Sequence, residues 1–313
     1  MHFLNWTGFR RLWLLFALAV ASAGAPAQAA PCASNCLAPG DYHLSMFSGG
    51  ILRTYLVHVP ASYDGTQPVP LLVDLHGFSS NADEERRVSG HLAQSDRRGF
   101  IAVWPQGVAA SWNGYGCCFV SNLLMVDDVT FLRSLIGGMK ARAHIDASRV
   151  FVTGISNGGS MAQRMACEAA DIVRAAASVS FPLNSDQCHP SQPIGVTEIA
   201  GTADTTIPYD GGEGIPPLPP TTLGIPFGVQ GARQSLAAWK RINGCSDALT
   251  RVQLPEGSRS ETYEHCTGGV KAGLVTIADG KHVLYNGYTG LGYDGNNAPI
   301  DVSDYIWEHV FDL

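Results

Sequence analysis

The feature that most constrains this chain is the segment Arg149–Ala162, where an apolar run passes through Gly154–Gly158 into a helix-favouring run. The order of strand, serine and helix predicts a sharp turn with Ser156 at its apex, a nucleophile elbow. Gly154 and Gly158 suit that turn because a side chain at either position would collide where strand and helix meet. The Gly-x-Ser-x-Gly pattern alone is weak in a chain with 35 glycines, so the flanking segments carry the prediction.

Length and composition are consistent with one large domain. The chain has 313 residues, 45% of them hydrophobic, which is enough to bury one large core. Strand-like apolar runs alternate with helical segments, a pattern typical of an α/β fold. We therefore predict a mostly parallel central sheet with helices on both faces, in a single catalytic domain spanning residues 30–313.

The first 29 residues have the pattern of a secretory signal peptide. Arg10 and Arg11 precede the apolar run Leu12–Ala21, and Ala27–Ala29 offers an Ala-x-Ala cleavage site. This run is too short for a comfortable transmembrane span, and no later segment approaches about 18 uninterrupted apolar residues. We therefore expect a secreted or periplasmic protein that does not associate with a membrane once the signal peptide is removed.

Charge and cysteine content narrow the possible partners. Without the leader, 18 basic residues stand against 27 acidic ones, a net charge of −9 that disfavours nucleic acid. All eight cysteines follow the leader, and an even number in an exported chain favours disulfides over metal ligation. The favoured pair is Cys245–Cys266. Because a vicinal disulfide is strained, Cys117 and Cys118 are expected to take separate partners among Cys167 and Cys188.

A second buried strand, Pro70–Leu75, ends in His76 and Gly77 and is followed by small polar residues. In a fold with a nucleophile elbow, the loop after this strand gives one backbone N–H to the oxyanion hole. Phe78 is the predicted donor, and Asn157, directly after the nucleophile, is the second. Taken alone, His76 fits equally well a core histidine with satisfied hydrogen bonds. The elbow downstream favours the functional interpretation.

The catalytic acid is expected after a strand that follows the nucleophile. Asp204 lies just past the predicted strand Ile194–Ala200, so it is the predicted acid. Asp210 is the nearest rival, but it lies in a glycine-rich loop and is less firmly positioned. The pair Asp127 and Asp128 precedes a helical segment, and a helix N-cap is a better interpretation for it than an acid/base or metal site.

The catalytic base is expected among three later histidines. Only His282 lies in a turn after a strand, Gly273–Ala278, whereas His265 falls in a predicted strand and His309 in the closing helix. With the serine and the aspartate already named, His282 completes a Ser-His-Asp triad. Such a triad needs neither a metal nor a cofactor.

Loops at the carboxyl end of the predicted sheet are where a ligand should bind. The loop Gln106–Asn122 is rich in glycine, serine and aromatic residues, and the Pro- and Gly-rich insertion Gly211–Gly228 is expected to form a wall of the site. The aromatic residues predicted to contact the substrate are Trp112, Tyr115, Tyr209 and Tyr285.

Six sequence motifs occur in order along the mature chain: Leu75-His76-Gly77, Ser111-Trp112-Asn113, Cys117-Cys118, Val126-Asp127-Asp128-Val129, Gly154-Ile155-Ser156-Asn157-Gly158-Gly159 and Gly201-Thr202-Ala203-Asp204. From about Gly40 to its end, the chain thereby resembles the secreted poly(3-hydroxybutyrate) depolymerase and feruloyl esterase group, related to carbohydrate esterase family one. The resemblance implies a disulfide-stapled α/β-hydrolase fold with Ser156, Asp204 and His282 as the triad.

The chain departs from that family at two places. Ala200 stands where the family commonly has histidine, and Asp279–Asn286 stands where it has Gly-Gly-Gly-His-Thr-Trp-Pro-Gly. The missing tryptophan affects the acyl or alcohol pocket and leaves the triad intact.

Three functions follow from the resemblance and the triad. The resemblance implies an exported serine esterase, with a polyhydroxybutyrate-type polyester or oligoester as the leading substrate. Feruloyl or acetyl esters of plant polysaccharide are the alternative substrates. The third hypothesis is an exported binding protein that keeps the fold without catalysis. This hypothesis predicts that a triad residue is missing, and none is.

Overall fold

The computed structural model of the protein describes residues 36–115, 120–214, 227–286 and 299–311. The predicted signal peptide, Cys32, Cys117 and Cys118 lie outside these residues. The twelve strands of the described residues are β1 (Gly40–Ser48), β2 (Ile51–Val59), β3 (Val69–Leu75), β4 (Ile101–Pro105), β5 (Ile145–Ile155), β6 (Ala175–Val179), β7 (Gly195–Gly201), β8 (Gly211–Gly214), β9 (Phe227–Gln230), β10 (Leu249–Gln253), β11 (Arg259–Tyr263) and β12 (Ala272–Ile277).

Ten of these strands form one sheet in the order β1-β2-β4-β3-β5-β6-β7-β12-β11-β10, and β8 pairs with β9 alone. The six central strands, from β4 to β12, run parallel to one another. The two edges of the sheet are antiparallel. The central strands read as continuous apolar runs because helices cover both of their faces. The predicted mostly parallel sheet is therefore confirmed.

Two layers of helices bury the faces of the sheet. The helices are α1 (Ala82–Val88), α2 (His91–Arg98), α3 (Val120–Leu123), α4 (Asp128–Arg142), α5 (Asn157–Glu168), α6 (Ala232–Ile242) and α7 (Val302–Ile306), which continues as a π-helical turn, Trp307–Phe311. Apolar residues of α4, α5 and α6 join one core cluster, and those of α1 and α7 join the other. Successive side chains of β5 point to opposite faces of the sheet, so Val152 packs in the first cluster and Phe151 in the second.

Disulfides tie two loops to the domain. Cys245 bonds Cys266, as predicted. Cys167, in α5, bonds Cys188, in the loop after β6. The prediction that Cys167 and Cys188 pair with Cys117 and Cys118 is therefore wrong, because each sulfur already has its partner. Within the described residues no helix has both the length and the apolar character to cross a membrane.

Glu198 is an unusual member of the core, because it places a carboxyl group in the middle of β7. Its side chain is buried, and burial raises its pKa to about 8, against a smaller lowering effect of a hydrogen bond with Ser235. Between pH 4.5 and about 8 the folded protein therefore keeps a proton that the unfolded chain releases. The free energy of unfolding must fall as the pH rises through this window.

We expect Glu198→Gln to remove this pH dependence. Relative to the unmodified protein, the variant should gain up to about 1.4 kcal/mol in free energy of unfolding per pH unit across the window, and the gain should level off above pH 8. Urea denaturation at several pH values measures the difference. Parallel stability curves for the two proteins would contradict the assignment of the proton to Glu198.

Candidate active site

The turn between β5 and α5 holds Ser156 in a strained conformation. Its φ of 56° and ψ of −121° lie where residues other than glycine rarely occur. The Ser156 N–H donates to the Val179 carbonyl at 2.8 Å, which ties the turn to the end of β6. Within Phe151–Ser160 every residue except Ser156 is buried. The backbone therefore presents this one side chain to the surface, as the sequence predicts.

Two glycines allow this turn to approach β3. A Cβ atom added at Gly158 would lie 2.0 Å from the Leu75 carbonyl oxygen and 2.6 Å from that of His76. One added at Gly154 would lie 2.6 Å from the Leu75 oxygen. These contacts are with backbone atoms that cannot move aside, so neither position accepts a side chain.

Asp204 and His282 are in contact although they are 78 residues apart in the sequence. Asp204 follows β7, and its Oδ2 lies 2.8 Å from His282 Nδ1 in the turn after β12. The Asp204 side chain is buried, and its Oδ1 accepts the N–H groups of Thr206 and Ile207, each at 2.8 Å. The carboxylate is therefore fixed by its own loop, while the imidazole remains partly exposed.

The rival residues occupy the surface. Asp210 is exposed in the loop before β8, so Asp204 is the carboxylate that contacts His282. His265 lies just beyond the end of β11, and His309 lies in the closing π-helical turn; both are exposed.

His76 is buried directly after β3 and has both ring nitrogens engaged. Its Nε2 accepts the Gly107 N–H at 3.0 Å, so Nδ1 carries the proton and donates to the Gly77 carbonyl at 2.8 Å. Burial lowers the pKa of His76 to about 4, which keeps the ring neutral in this role. The histidine is thus a satisfied core residue, and it fixes the orientation of the peptide that follows it.

The loop after β3 lies against the elbow. A Cβ atom added at Gly77 would lie 3.8 Å from Ser156 Cβ, so the peptide between Gly77 and Phe78 borders the serine. Asn157 begins α5, where its backbone N–H has no acceptor within the helix. Its side chain accepts from the Trp112 N–H at 2.6 Å and donates to the Trp112 carbonyl at 2.9 Å.

The sequence analysis missed a buried ion pair beneath this loop. Arg53, in β2, donates to Asp128 Oδ1 at 2.7 Å, and both side chains are buried. The second oxygen of Asp128 accepts the Asn113 N–H at 2.8 Å, so the pair holds the loop after β4. Asp127 does cap α4, as predicted, since its side chain accepts the Thr130 N–H. Arg53 and Asp128 are 75 residues apart in the sequence, so no pattern of neighbouring residues predicts their contact.

Two of the four predicted substrate contacts are instead packing residues. Trp112 is fully buried and donates its indole N–H to the His76 carbonyl at 3.0 Å. Tyr285 is buried and donates its hydroxyl to the Lys281 carbonyl. Neither side chain is accessible to a ligand, so these two predictions are not supported. Tyr209 is half-buried, with its hydroxyl 2.8 Å from Thr276 Oγ1.

Tyr115, the fourth predicted contact, lines a cavity of about 380 Å³. The other walls are Phe181–Asp186, after β6, and Phe227–Gln230, which is β9. An apolar cluster joins these walls to the catalytic loops: it contains Phe78, Phe181, Ile207, Phe227 and Val229. The predicted wall Gly211–Gly228 is represented by β8 and the start of β9, and residues 215–226 lie outside the described residues.

No protein-family model matches the chain. The chain is 30% identical over 250 residues to feruloyl esterase B of Piromyces equi, an alignment that covers 77% of this chain and 44% of that protein. The chain thus spans less than half of that relative's length. It is also 30% identical over 257 residues to the putative esterase NocK of Nocardia uniformis subsp. tsuyamanensis, covering 76% of this chain and 72% of that protein.

The fold also has a counterpart among solved structures. The acetyl xylan esterase from Aspergillus awamori superposes with a TM-score of 0.57 at 13% identity, covering 86% of this chain and 98% of that one. At this identity the likeness concerns the fold alone.

We expect Gly158→Ala to disrupt the elbow, because its methyl group would collide with two backbone carbonyls. The free energy of unfolding should fall by at least about 4 kcal/mol, or the variant should not fold. Gly137→Ala, in α4, is the matched control. An added Cβ there meets nothing within 4 Å, so this variant should be more stable by roughly 0.5–1 kcal/mol. Urea denaturation compares them, and similar stabilities would contradict the close approach.

Proposed function

Because the chain belongs to the family of carboxylic ester hydrolases that includes its relatives feruloyl esterase B and the putative esterase NocK, we propose that it cleaves esters through Ser156, His282 and Asp204. The observation that carries this assignment is the hydrogen bond of 2.8 Å between His282 and the buried Asp204. Together with a serine held in a strained, partly exposed turn, it supplies the three parts of a serine hydrolase site.

The proposed reaction begins with proton transfer from Ser156 to His282. Asp204 holds the Nδ1–H of the imidazole, which leaves Nε2 to accept the serine proton as Oγ attacks the ester carbonyl. Asp204 then stabilises the imidazolium, and its own position is secured by the N–H groups of Thr206 and Ile207. His282 returns the proton to the leaving alcohol, and water resolves the acyl-enzyme by the same path.

The backbone N–H groups of Phe78 and Asn157 are the proposed oxyanion donors. The peptide of Phe78 borders Ser156, and the N–H of Asn157 stands at the positive end of α5. Donors that are fixed before the reaction stabilise the tetrahedral intermediate without reorganisation, and each is worth roughly 10²- to 10³-fold in rate.

The proposed substrate is an ester of plant polysaccharide, with a feruloyl or an acetyl acyl group. Several relatives of this chain are named for such esters, among them feruloyl esterase B of Piromyces equi and a bifunctional acetylxylan esterase/xylanase of Neocallimastix patriciarum, the latter 26% identical over 161 residues. Polyester, the leading substrate expected from the sequence, has no such support. The net charge of −9 that remains without the predicted leader also disfavours an anionic substrate.

The proposed enzyme acts outside the cytoplasm. The predicted leader lies outside the described residues, but the Cys167–Cys188 and Cys245–Cys266 disulfides are the kind that persist in an oxidising compartment. A secreted or periplasmic location would also give the enzyme access to polysaccharide.

We expect Asp204→Asn to lower kcat on p-nitrophenyl acetate by about 10⁴-fold, because the amide favours the wrong imidazole tautomer. Asp210→Asn, the matched control in the same loop, should retain full activity.

Ser156→Ala should lose both the activity and labelling by a fluorophosphonate, with its circular dichroism unchanged. Labelling of the Ser156→Ala variant, or equal losses in the two aspartate variants, would contradict the triad. A folded wild-type protein that takes up no label would favour the catalytically silent binding protein.

A panel of esters tests the substrate class. We expect the wild-type protein to release product from methyl ferulate or acetylated xylan with a higher kcat/KM than from hydroxybutyrate oligomers, and Ser156→Ala to release none. Liquid chromatography of the released acids measures all of these substrates in one assay. A preference for hydroxybutyrate oligomers would return the assignment to a polyester depolymerase.

A further inference from the structure

The cavity between β9 and the loop after β6 has the size of a small-molecule site. Its volume of about 380 Å³ falls within the range of ligand pockets, roughly 300–1,000 Å³. Phe181–Asp186 forms one side, Phe227–Gln230 the other, and Tyr115 a third. None of the catalytic residues assigned above lines it, so its role is separate from bond cleavage.

The cavity wall is linked to the nucleophile turn by a hydrogen bond and an apolar cluster. Val179, whose carbonyl accepts the Ser156 N–H at 2.8 Å, is two residues before Phe181 in the cavity wall. Phe181 also shares an apolar cluster with Phe78, the proposed oxyanion residue, and with Ile207, which follows the catalytic acid. One end of an ester held at Ser156 can therefore extend into this cavity.

The walls of the cavity combine aromatic rings with polar groups. The rings of Phe181 and Phe227 are nearly parallel, 6.0 Å apart between centroids and 9° between planes. On the same side as Phe181, the consecutive residues Asn184, Ser185 and Asp186 supply an amide, a hydroxyl and an exposed carboxylate. The ring of a feruloyl group carries only one hydroxyl and one methoxy oxygen, and an acetyl group carries neither, so an acyl group would leave part of this polar wall unpaired.

A neutral sugar fits this combination better. Its hydroxyls can donate to the Asp186 carboxylate and accept from the Asn184 amide, while its C–H face packs on an aromatic ring. Among the described residues that line the cavity there is no lysine or arginine. With Asp186 at its rim, the cavity disfavours a uronic acid.

We propose that this cavity binds the neutral glycosyl unit on the alcohol side of the ester, with Asn184 and Asp186 as its hydrogen-bonding residues. The proposal rests on the proposed function for the ester itself. It divides the substrate between two places: the acyl carbonyl at Ser156 and the sugar in the cavity.

Kinetics on two feruloyl esters test this division. For each enzyme, the ratio of kcat/KM for a feruloylated arabinoxylo-oligosaccharide to kcat/KM for methyl ferulate is measured. Asn184→Ala and Asp186→Ala should each lower this ratio about tenfold, since each removes one hydrogen bond to the sugar. Gln253→Ala, a polar exposed residue of β10 at the far edge of the sheet, should leave it unchanged. An unchanged ratio in both cavity variants overturns the proposal.

Binding without catalysis separates this proposal from the proposed function. Isothermal titration of Ser156→Ala with an unesterified arabinoxylo-oligosaccharide should show binding that weakens about tenfold when Asn184→Ala or Asp186→Ala is added. An oligogalacturonate of equal length should bind at least tenfold more weakly. Failure of the wild-type enzyme to cleave any ester would overturn the proposed function, whereas this titration would still decide the role of the cavity. No binding, or binding indifferent to both substitutions, overturns the sugar site.

Discussion

The close packing of the nucleophile turn against the carboxyl end of β3 is the constraint on which the site depends. Gly158 lies so close to the carbonyls of Leu75 and His76 that a methyl group has no room. Backbone contact therefore sets the distance between the turn and the loop after β3. Ser156 and the peptide that carries the Phe78 N–H are held side by side by the packing of main chains, which does not relax as side chains do. Such fixed geometry is what electrostatic stabilisation of a transition state requires.

A layer of buried polar side chains then orients the peptides around the serine. His76 donates to the Gly77 carbonyl, and in a trans peptide the N–H of Phe78 points away from that carbonyl. The hydrogen bond that satisfies the buried imidazole therefore also orients the proposed oxyanion donor. The two interpretations of His76, a satisfied core residue and a functional one, describe the same interaction. The side chain of Asn157 likewise orients a neighbouring peptide, because it accepts the N–H of Trp112 and donates to the Trp112 carbonyl.

Local patterns predicted the elements and the order of the site, because strand periodicity, turn glycines and helix caps act within a few residues. The segment of Ser156, the cap at Asp127 and the turn of His282 are of this kind. Interactions across the fold were not predictable in this way. The Arg53–Asp128 pair joins β2 to α4, and Trp112 and Tyr285 are buried in core clusters whose members come from distant parts of the sequence. An aromatic residue in a loop near the site looks the same in sequence whether its ring faces a ligand or fills the space beneath one. The pairing of Cys167 with Cys188 was missed because the sequence does not show which cysteines the fold brings together.

The loop after β7 shows how catalysis and substrate binding can be built from one segment without conflict. Asp204 is fixed at the start of the loop by two N–H groups only two and three residues away, so its position needs little from the chain that follows. Beyond it, β9 forms one wall of the cavity. Ile207 belongs to both parts, since its N–H binds Asp204 and its side chain packs in the cluster with Phe181. Ile207 thus links the acid to Phe181 and Phe227, two residues that line the cavity. Enzymes can use binding energy from a remote part of the substrate to orient the reacting group, and in the proposal made above the sugar bound in the cavity supplies that energy.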